Sequence, residues 1–529
     1  MIILKRLAVS LTLCFSISIT QAQTKAKAQN VLFIAVDDLK PVLGCYGDKL
    51  IKTPNIDNLA NKGTVFMQNY CQQAVCGPTR ASLMTGKRPD YTKVWDLKTK
   101  MRDINPNILT IPQYFAQQGY STSAIGKIYD PRCVDNKKDL DKPSWTVPYY
   151  KVEDRYFYKG QSPVLYYYQS YEAKRLSEKL KAVAVASGKK PGDSNESSEA
   201  AQYKPSIECL DLPDNAYSDG AQTDKVLELL TDLSKNTQPF FFAVGFARPH
   251  LPFVSPKKYW DLYKREEMPL AKFQEHAKNS PELAYTNSGE LRSYTDIPPL
   301  VSFTDMKDNY IGLDKAKQKE LIHGYYASVS YVDAQIGRIL AKLDELGMRE
   351  NTIIVLWGDH GWHLGDHDLW CKHTNFENAA KAPLIISSPK FNTGKTSSPT
   401  EFVDIFPTLC DLAGLEMPKN LDGKSLTPLM LNPSAKVKDY SVSQYPHEGK
   451  MGYSIRTTKY RMTWWMEKGF RSNNSFNSNM ILEKELYDYE KDPLETVNVV
   501  SEKSYKQISK DLDNKMLDYF ENQKASINK

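Results

Sequence analysis

NVLFIAVDD, Asn30 to Asp38, is an apolar run that ends on two adjacent carboxylates. A stretch that is hydrophobic at every position, rather than at every second one, is the pattern of a strand covered on both faces. Three other segments repeat it: STSAIGK (Ser121–Lys127), PFFFAVGFARPH (Pro239–His250) and TIIVLWGDHGW (Thr352–Trp362). Each stops at a polar or charged residue. Between them lie helical patterns, LTIPQYFAQQGY (Leu109–Tyr120) and TDKVLELLTDL (Thr223–Leu233) among them. The longest runs from Lys317 to Leu346, where Leu321, Tyr325, Val329, Val332, Ile336, Ile339 and Leu343 fall on one face. Strands alternating with helices predict an α/β fold, a mixed and mostly parallel sheet sandwiched by helices.

In such a sheet, ligands bind beyond the carboxyl ends of the strands. Asp37 and Asp38, Lys127, His250, and Asp359 with His360 all stand just past strand ends, so they are expected to converge. Three carboxylates with one imidazole suit Ca²⁺ or Mg²⁺ better than structural zinc. Taken singly, each acid reads equally well as a turn residue. A second motif is VCGPTRASLMTGKRP, Val75 to Pro89. Pro78 near its start and Gly86 past its end predict a short helix with Cys76 at the positive pole, where oxyanions bind. A lone cysteine is also commonly a small buried apolar residue, and Arg80 one turn on reads by default as a surface ion pair. Both readings are open at this point.

The chain has 529 residues, 41% of them hydrophobic, and a formal net charge of +6. That length suffices for a large core and more than one domain. The positive balance is spread thinly, which favours solubility and anionic ligands and argues against nucleic acid as a partner. MIILKRLAVSLTLCFSISITQAQ combines basic Lys5 and Arg6, an apolar run from Leu7 to Ile19 and small residues before a cut after Ala22. Residues 1–22 therefore read as a secretory signal peptide, and Cys14 belongs to the discarded segment. Export follows, with the periplasm favoured over the medium, because the chain closes on a charged helix around Lys503 to Asn528 without an added sorting or carbohydrate-binding domain. No later stretch is long and apolar enough to span a membrane.

Seven cysteines remain after that cut: Cys45, Cys71, Cys76, Cys133, Cys209, Cys371 and Cys410. An odd, scattered set is not a disulfide framework, and no C-x-x-C pair suggests zinc. The main domain is expected over residues 23–415. From 416 to 529 the alternating YSIRTTKYRMTWW (Tyr453–Trp465) and a closing helix predict a smaller α+β domain with its own antiparallel sheet. The Lys-, Ser- and Asn-rich stretch from Ala182 to Ala201 is expected to be an exposed loop.

CGPTR matches the C-x-P-x-R motif of type I sulfatases, and LMTGKRP continues it in that family's manner. The resemblance runs in order through NVLFIAVDD, TPNIDNLA, GKIYDP, ARPHLPF and GDHGWHLGDH to ELYDYEKDPLETVN, nearly the whole mature chain. TGKRPDYTKVWDLKTKMRDINPNILTIPQYF, YYASVSYVDAQIGRIL and WGDHGWHLGDHDLWCKHTNFE look like the iduronate 2-sulfatase branch and its bacterial relatives, and His360, where many sulfatases have Asn, fits that branch.

The resemblance implies an alkaline-phosphatase-like fold in which a formylglycine-generating maturation enzyme oxidises Cys76 to formylglycine (3-oxoalanine). It implies Ca²⁺ held by Asp37, Asp38, Asp359, His360 and residue 76, and a hydrated aldehyde that attacks sulfur in line. Arg80, Lys127 and Lys372 would stabilise charge on the sulfate oxygens, and His250 would protonate the departing sugar oxygen. One position departs from the family pattern G-K-x-x-H: Asp130 stands where the histidine is expected. Asp130 then reads either as the base of the second step or as a turn acid before Pro131; either a nearby histidine such as His363 substitutes, or the subsite has been retuned.

The substrate implied is a sulfated oligosaccharide or polysaccharide, with 2-O-sulfate on a uronic acid from a glycosaminoglycan or ulvan. Candidate sugar contacts are Arg248, Trp362, His363, Trp370 and His447, cations for a carboxylate and aromatics for a ring face. Two rival readings are a phosphate or phosphonate monoester hydrolase of the same superfamily and a catalytically dead glycan-binding homologue. Retention of Cys76, Arg80, Lys127, His250 and the full metal set argues against the second.

Overall fold

A computed structural model describes residues 28–136, 138–150, 167–188, 203–298, 312–391, 394–467 and 476–527. Seven strands form the central sheet, in the order Gly394–Thr396, Thr64–Phe66, Leu384–Ser387, Thr352–Gly358, Asn30–Val36, Phe240–Phe246, Ser121–Gly126. The four segments read as buried strands form its contiguous parallel half. Asn30–Val36 pairs with Phe240–Phe246 on one side and Thr352–Gly358 on the other, and Ser121–Gly126 extends the sheet beyond Phe240–Phe246. Leu384–Ser387 runs antiparallel to both of its neighbours, which makes the sheet mixed.

The central strand explains why its sequence does not alternate. Leu32, Ile34 and Val36 belong to one apolar cluster, and Val31, Phe33 and Ala35 to another on the opposite face. Helices cover both. Lys315–Glu345 buries Leu321, Tyr325, Val329, Val332, Ile336, Ile339 and Leu343 in the first cluster. It begins two residues before the expected Lys317, because the Asp314 side chain accepts the Lys317 N–H at 2.8 Å and caps the first turn. Cys76–Thr85 packs Ala81, Leu83 and Met84 into the second cluster.

Beyond Leu415, strands Ser441–His447, Lys450–Arg456, Tyr460–Met466 and Ile481–Asp488 make an antiparallel sheet. The helix Lys506–Ile527 covers it, and Met451, Tyr453, Trp464, Met516 and Phe520 share one core. Ion pairs join this unit to the residues before 415: Arg456 to Glu377 at 3.0 Å, and Lys438 to Glu401 and Asp404, both at 2.6 Å.

One expectation is corrected. Ala182–Ala186 do not begin a loop but end the helix Tyr171–Ala186, whose start is capped by Ser170 and whose Ala173, Leu180 and Ala184 form a buried stripe. The rest of that stretch, from 189 onward, and the signal segment 1–22 lie outside the described residues. Among the described residues no helix is long and apolar enough to cross a membrane, and all seven cysteines are free thiols.

Candidate active site

The strand ends bring the expected residues to one place. Asp37 follows Asn30–Val36, Lys127 follows Ser121–Gly126, and Asp359 with His360 follows Thr352–Gly358. Ligand atoms of Asp38, Cys76, Asp359 and His360 lie within 4.8 Å of one another, as do those of Asp37, Asp38, Cys76 and His250. Asp38 adopts a left-handed backbone, φ 57°, a conformation that persists only where the surroundings fix it. Here Asp359 Oδ1 accepts the Asp38 N–H at 2.9 Å, and the Tyr325 hydroxyl donates to the Asp38 carbonyl at 2.7 Å.

His360 shows what this cluster is built to hold. Its Nδ1 lies 3.0 Å from the Gly361 carbonyl, which only accepts, so Nδ1 carries the proton. In the neutral ring Nε2 is then a lone pair, and it faces Cys76 Sγ and Asp38 Oδ1 at 3.4 Å and Asp359 Oδ2 at 3.6 Å. A lone pair converging with carboxylate oxygens is repulsive unless a cation lies among them. Hard oxygen donors with one imidazole fit a divalent cation of the Ca²⁺ or Mg²⁺ kind.

Cys76 opens a helix whose residues are all buried. Burial and the Asp37 carboxylate push its thiol well up, so the unmodified side chain stays protonated and is a weak nucleophile. Arg80 lies beneath the cluster with no exposure. Its Nη2 and Nε donate at 2.9 Å to Asp37 Oδ1 and Asp359 Oδ2, and its Nη1 donates to the Lys127 and Ile128 carbonyls. This corrects the expectation that Arg80 meets sulfate oxygens directly. One helical turn past Cys76 its side chain points inward, every donor nitrogen is taken, and it fixes the orientation of two carboxylates.

Two lysines line the cluster. Lys127 Nζ pairs with Asp37 Oδ2, and Lys372 Nζ reaches both Asp38 oxygens, at 2.8 and 3.0 Å. Cys371 and His373, on either side of Lys372, are both left-handed, φ 75° and 76°. Burial acts to raise both aspartates. At Asp37 it is outweighed by Lys127 and Arg80, which hold that carboxyl well below the usual range, whereas at Asp38 burial prevails over His250 and Lys372.

His250 is oriented from both ends. Its Nδ1 lies 2.7 Å from the Leu251 carbonyl, and its Nε2 is 2.9 Å from Glu290 Oε1 and 3.7 Å from Asp38 Oδ2. The Asp219 carboxylate anchors the preceding loop by accepting the N–H groups of Ala247 and Arg248 at 3.0 and 2.8 Å. Glu290 was not legible in the sequence. It lies in NSGELRS, a loop with no periodicity or motif, yet its carboxylate also pairs with Lys372 at 2.9 Å. Lys372 and His250 together overcome burial and hold Glu290 well below its ordinary range.

Asp130 is buried and committed to Arg132. Oδ1 accepts from the Arg132 backbone N–H at 3.1 Å and from Nε at 2.9 Å, and Oδ2 accepts from Nη2 at 2.7 Å. Burial pushes the Asp130 carboxyl up, but Arg132 and Lys127 outweigh it and keep the carboxyl below its ordinary value.

Four of the five expected sugar contacts are corrected, because packing takes them out of solvent. Arg248 is 1% exposed, with Nη1 on the Pro252 carbonyl and its guanidinium 4.9 Å over the Tyr167 ring. Trp362 lies under the cluster with Lys372 Nζ 4.8 Å over its ring. Trp370 is buried in the short strand Trp370–Cys371, opposite Leu364. His363 is fully buried, 2.9 Å from Thr374 Oγ1, and burial pushes its imidazole down to about 3; this also removes it as a substitute base. His447 lines a cavity of about 670 Å³, shared with Asn287 and Lys450.

Known proteins resemble this chain in sequence and fold. A family model described as Sulfatase matches residues 29–415, and one described as N-sulphoglucosamine sulphohydrolase, C-terminal, matches residues 365–522. Iduronate 2-sulfatase of Homo sapiens is 33% identical over 549 aligned residues, covering 91% of this chain and 93% of that protein. A solved structure of a protein in complex with its substrate D-glucosamine-2-N,6-O-disulfate superposes with a TM-score of 0.69 at 23% identity, over 95% of this chain and 98% of that one. Phosphonate monoester hydrolase of Agrobacterium radiobacter superposes with a TM-score of 0.70 at 21% identity, over 94% and 96% of the two chains. At those identities the two structures show the shared fold alone.

Proposed function

The chain belongs to the sulfatase family and is a sulfuric ester hydrolase, and from that premise we propose that its substrate is a sulfated saccharide carrying 2-O-sulfate on a uronic acid. The observation that carries the reading is the position of Cys76 among three carboxylates, His360 and His250, with Lys127 and Lys372 paired to Asp37 and Asp38. Similarity to iduronate 2-sulfatase over most of both chains supports the uronate. The source polymer proposed is a glycosaminoglycan or ulvan. Export to the periplasm is part of the same reading, supported by the leader-like composition of residues 1–22.

Sulfatases generally depend on formylglycine and a metal ion, and the proposal assigns the first to residue 76 and the second to Ca²⁺. Asp37, Asp38, Asp359, His360 and residue 76 are the residues that would hold the cation, which supplies charge neutralisation at the ester and lowers the pKa of a hydroxyl nucleophile. Residue 76, once oxidised by a maturation enzyme, provides that hydroxyl. Lys127 and Lys372 draw the sulfate oxygens into the cluster and offset charge that builds on them. His250, its Nδ1 fixed on the Leu251 carbonyl and its Nε2 held by Glu290 at 2.9 Å, turns from that carboxylate to pass the Nε2 proton to the departing sugar oxygen. Arg80 keeps Asp37 and Asp359 in place throughout. Sulfate release from defined 2-O-sulfated uronate disaccharides, with Cys76→Ala as the control, tests the assignment.

A further inference from the structure

The segment GKIYDPRC, Gly126 to Cys133, contains a cation that the reaction above does not use. Pro131–Cys133 is a single 3-10 turn capped by the Asp130 side chain. It packs on the start of the Cys76–Thr85 helix, where Cys133 Sγ fills the space that a Cβ on Gly77 would need. The carboxylate and the guanidinium of this turn differ sharply in exposure, 1% for the Asp130 side chain and 54% for that of Arg132. Asp130 takes only the side edge of the guanidinium, Nε at 2.9 Å and Nη2 at 2.7 Å. The end edge, both Nη1 hydrogens and the second on Nη2, has no partner among the described residues.

We infer that Arg132 is a specificity-determining residue, whose open Nη1–Nη2 edge receives the carboxylate of the sulfated uronic acid while the buried Asp130 positions it. The inference rests on the uronate reading given above and deepens it. A planar guanidinium matches a carboxylate as a two-bond fork, and an anchored one loses less side-chain freedom on binding than a free arginine. The turn's contact with Gly77, through Cys133, sets Arg132 on an element packed against the residue next to Cys76, and the inference is that its fork reaches a uronate carboxylate on the same ring as the scissile ester. The hydrogen bond from Asp130 raises the pKa of Arg132, so the guanidinium stays charged. The acid in place of the family's histidine then has a purpose of its own: a histidine at 130 cannot grip Arg132 with two oxygens.

The experiment compares kcat/KM on three substrates: a 2-O-sulfated uronate disaccharide, the same compound with its carboxyl reduced to an alcohol, and 4-nitrophenyl sulfate. Arg132→Ala is expected to lower the ratio of the uronate to the reduced substrate by about tenfold to a hundredfold, the worth of a charged hydrogen-bonded pair, chiefly through KM. Arg132→Lys, which keeps the charge and loses the fork, falls between, and Asp130→Asn lowers the same ratio. Equal losses on all three substrates, or no change in the ratio, overturn the inference while leaving the sulfatase intact. A fall in kcat on every substrate for Asp130→Asn, with KM unchanged, makes Asp130 the second-step base and overturns its positioning role. A wild-type enzyme that cleaves 4-nitrophenyl sulfate and neither sugar overturns the uronate reading, and this inference with it.

Discussion

Nε2 of His360 faces Sγ of Cys76 at 3.4 Å, and Oδ1 of Asp38 lies at the same distance from that nitrogen. A helix start and the ends of two adjacent parallel strands thus bring the Cys76 thiol and two metal-type donors to one point. Such a cluster of like-charged carboxylates in a buried site is destabilising without a counter-charge.

Chelation is therefore expected to act on stability as well as on rate. After EDTA treatment and desalting, sulfate release should be lost and the melting temperature should fall by several degrees, both restored by Ca²⁺. Identical melting curves with and without chelator would mean that Arg80, Lys127 and Lys372 neutralise the cluster by themselves.

Glu290 links the proposed acid, His250, to Lys372, the cation proposed to meet the sulfate. Replacing it by Gln leaves Lys372 with Asp38 alone as its charge partner and frees the His250 ring. We expect kcat to fall by about tenfold to a hundredfold with little change in melting temperature, and Glu290→Asp to recover part of the loss. Steady-state kinetics beside a thermal melt decides it; an unaltered kcat in Glu290→Gln would remove Glu290 from the reaction.

Legibility in the sequence followed the physics of each element. The four buried strands and the helix Lys315–Glu345 were readable because burial on both faces, or on one stripe, leaves a regular trace. Their ends then placed Asp37, Asp38, Lys127, Asp359 and His360 without further information. Arg248, Trp362, His363 and Trp370 also follow strand ends, the last three at greater remove, yet they are buried, and sequence position does not say which way a side chain turns. Glu290 arrives from a loop far along the chain, held by ion pairs that leave no periodicity. The pairing of Asp130 with Arg132 was local but ambiguous, since a turn acid and a base look alike until the partner is seen.

The junction with the C-terminal sheet predicts an acid-sensitive stability term. At Glu377 burial is outweighed by Arg456 and Lys381, which bring its carboxyl from 4.5 down to about 2. A depressed folded-state value means that the stabilisation is complete above about 4.5 and is lost as pH falls toward about 2. Melting temperature measured from pH 5 downward should decline more steeply for the wild type than for Glu377→Gln. Parallel curves would contradict the assignment.

The most direct test of the account is sulfate measured by ion chromatography after incubation with a 2-O-sulfated uronate disaccharide, using the matured wild type and Cys76→Ala. The account predicts release by the wild type and a fall of at least about a thousandfold in the variant, with both proteins folded by circular dichroism. A Cys76→Ala protein that keeps its rate, or a wild type that cleaves a phosphonate monoester faster than any sulfate ester, would contradict it.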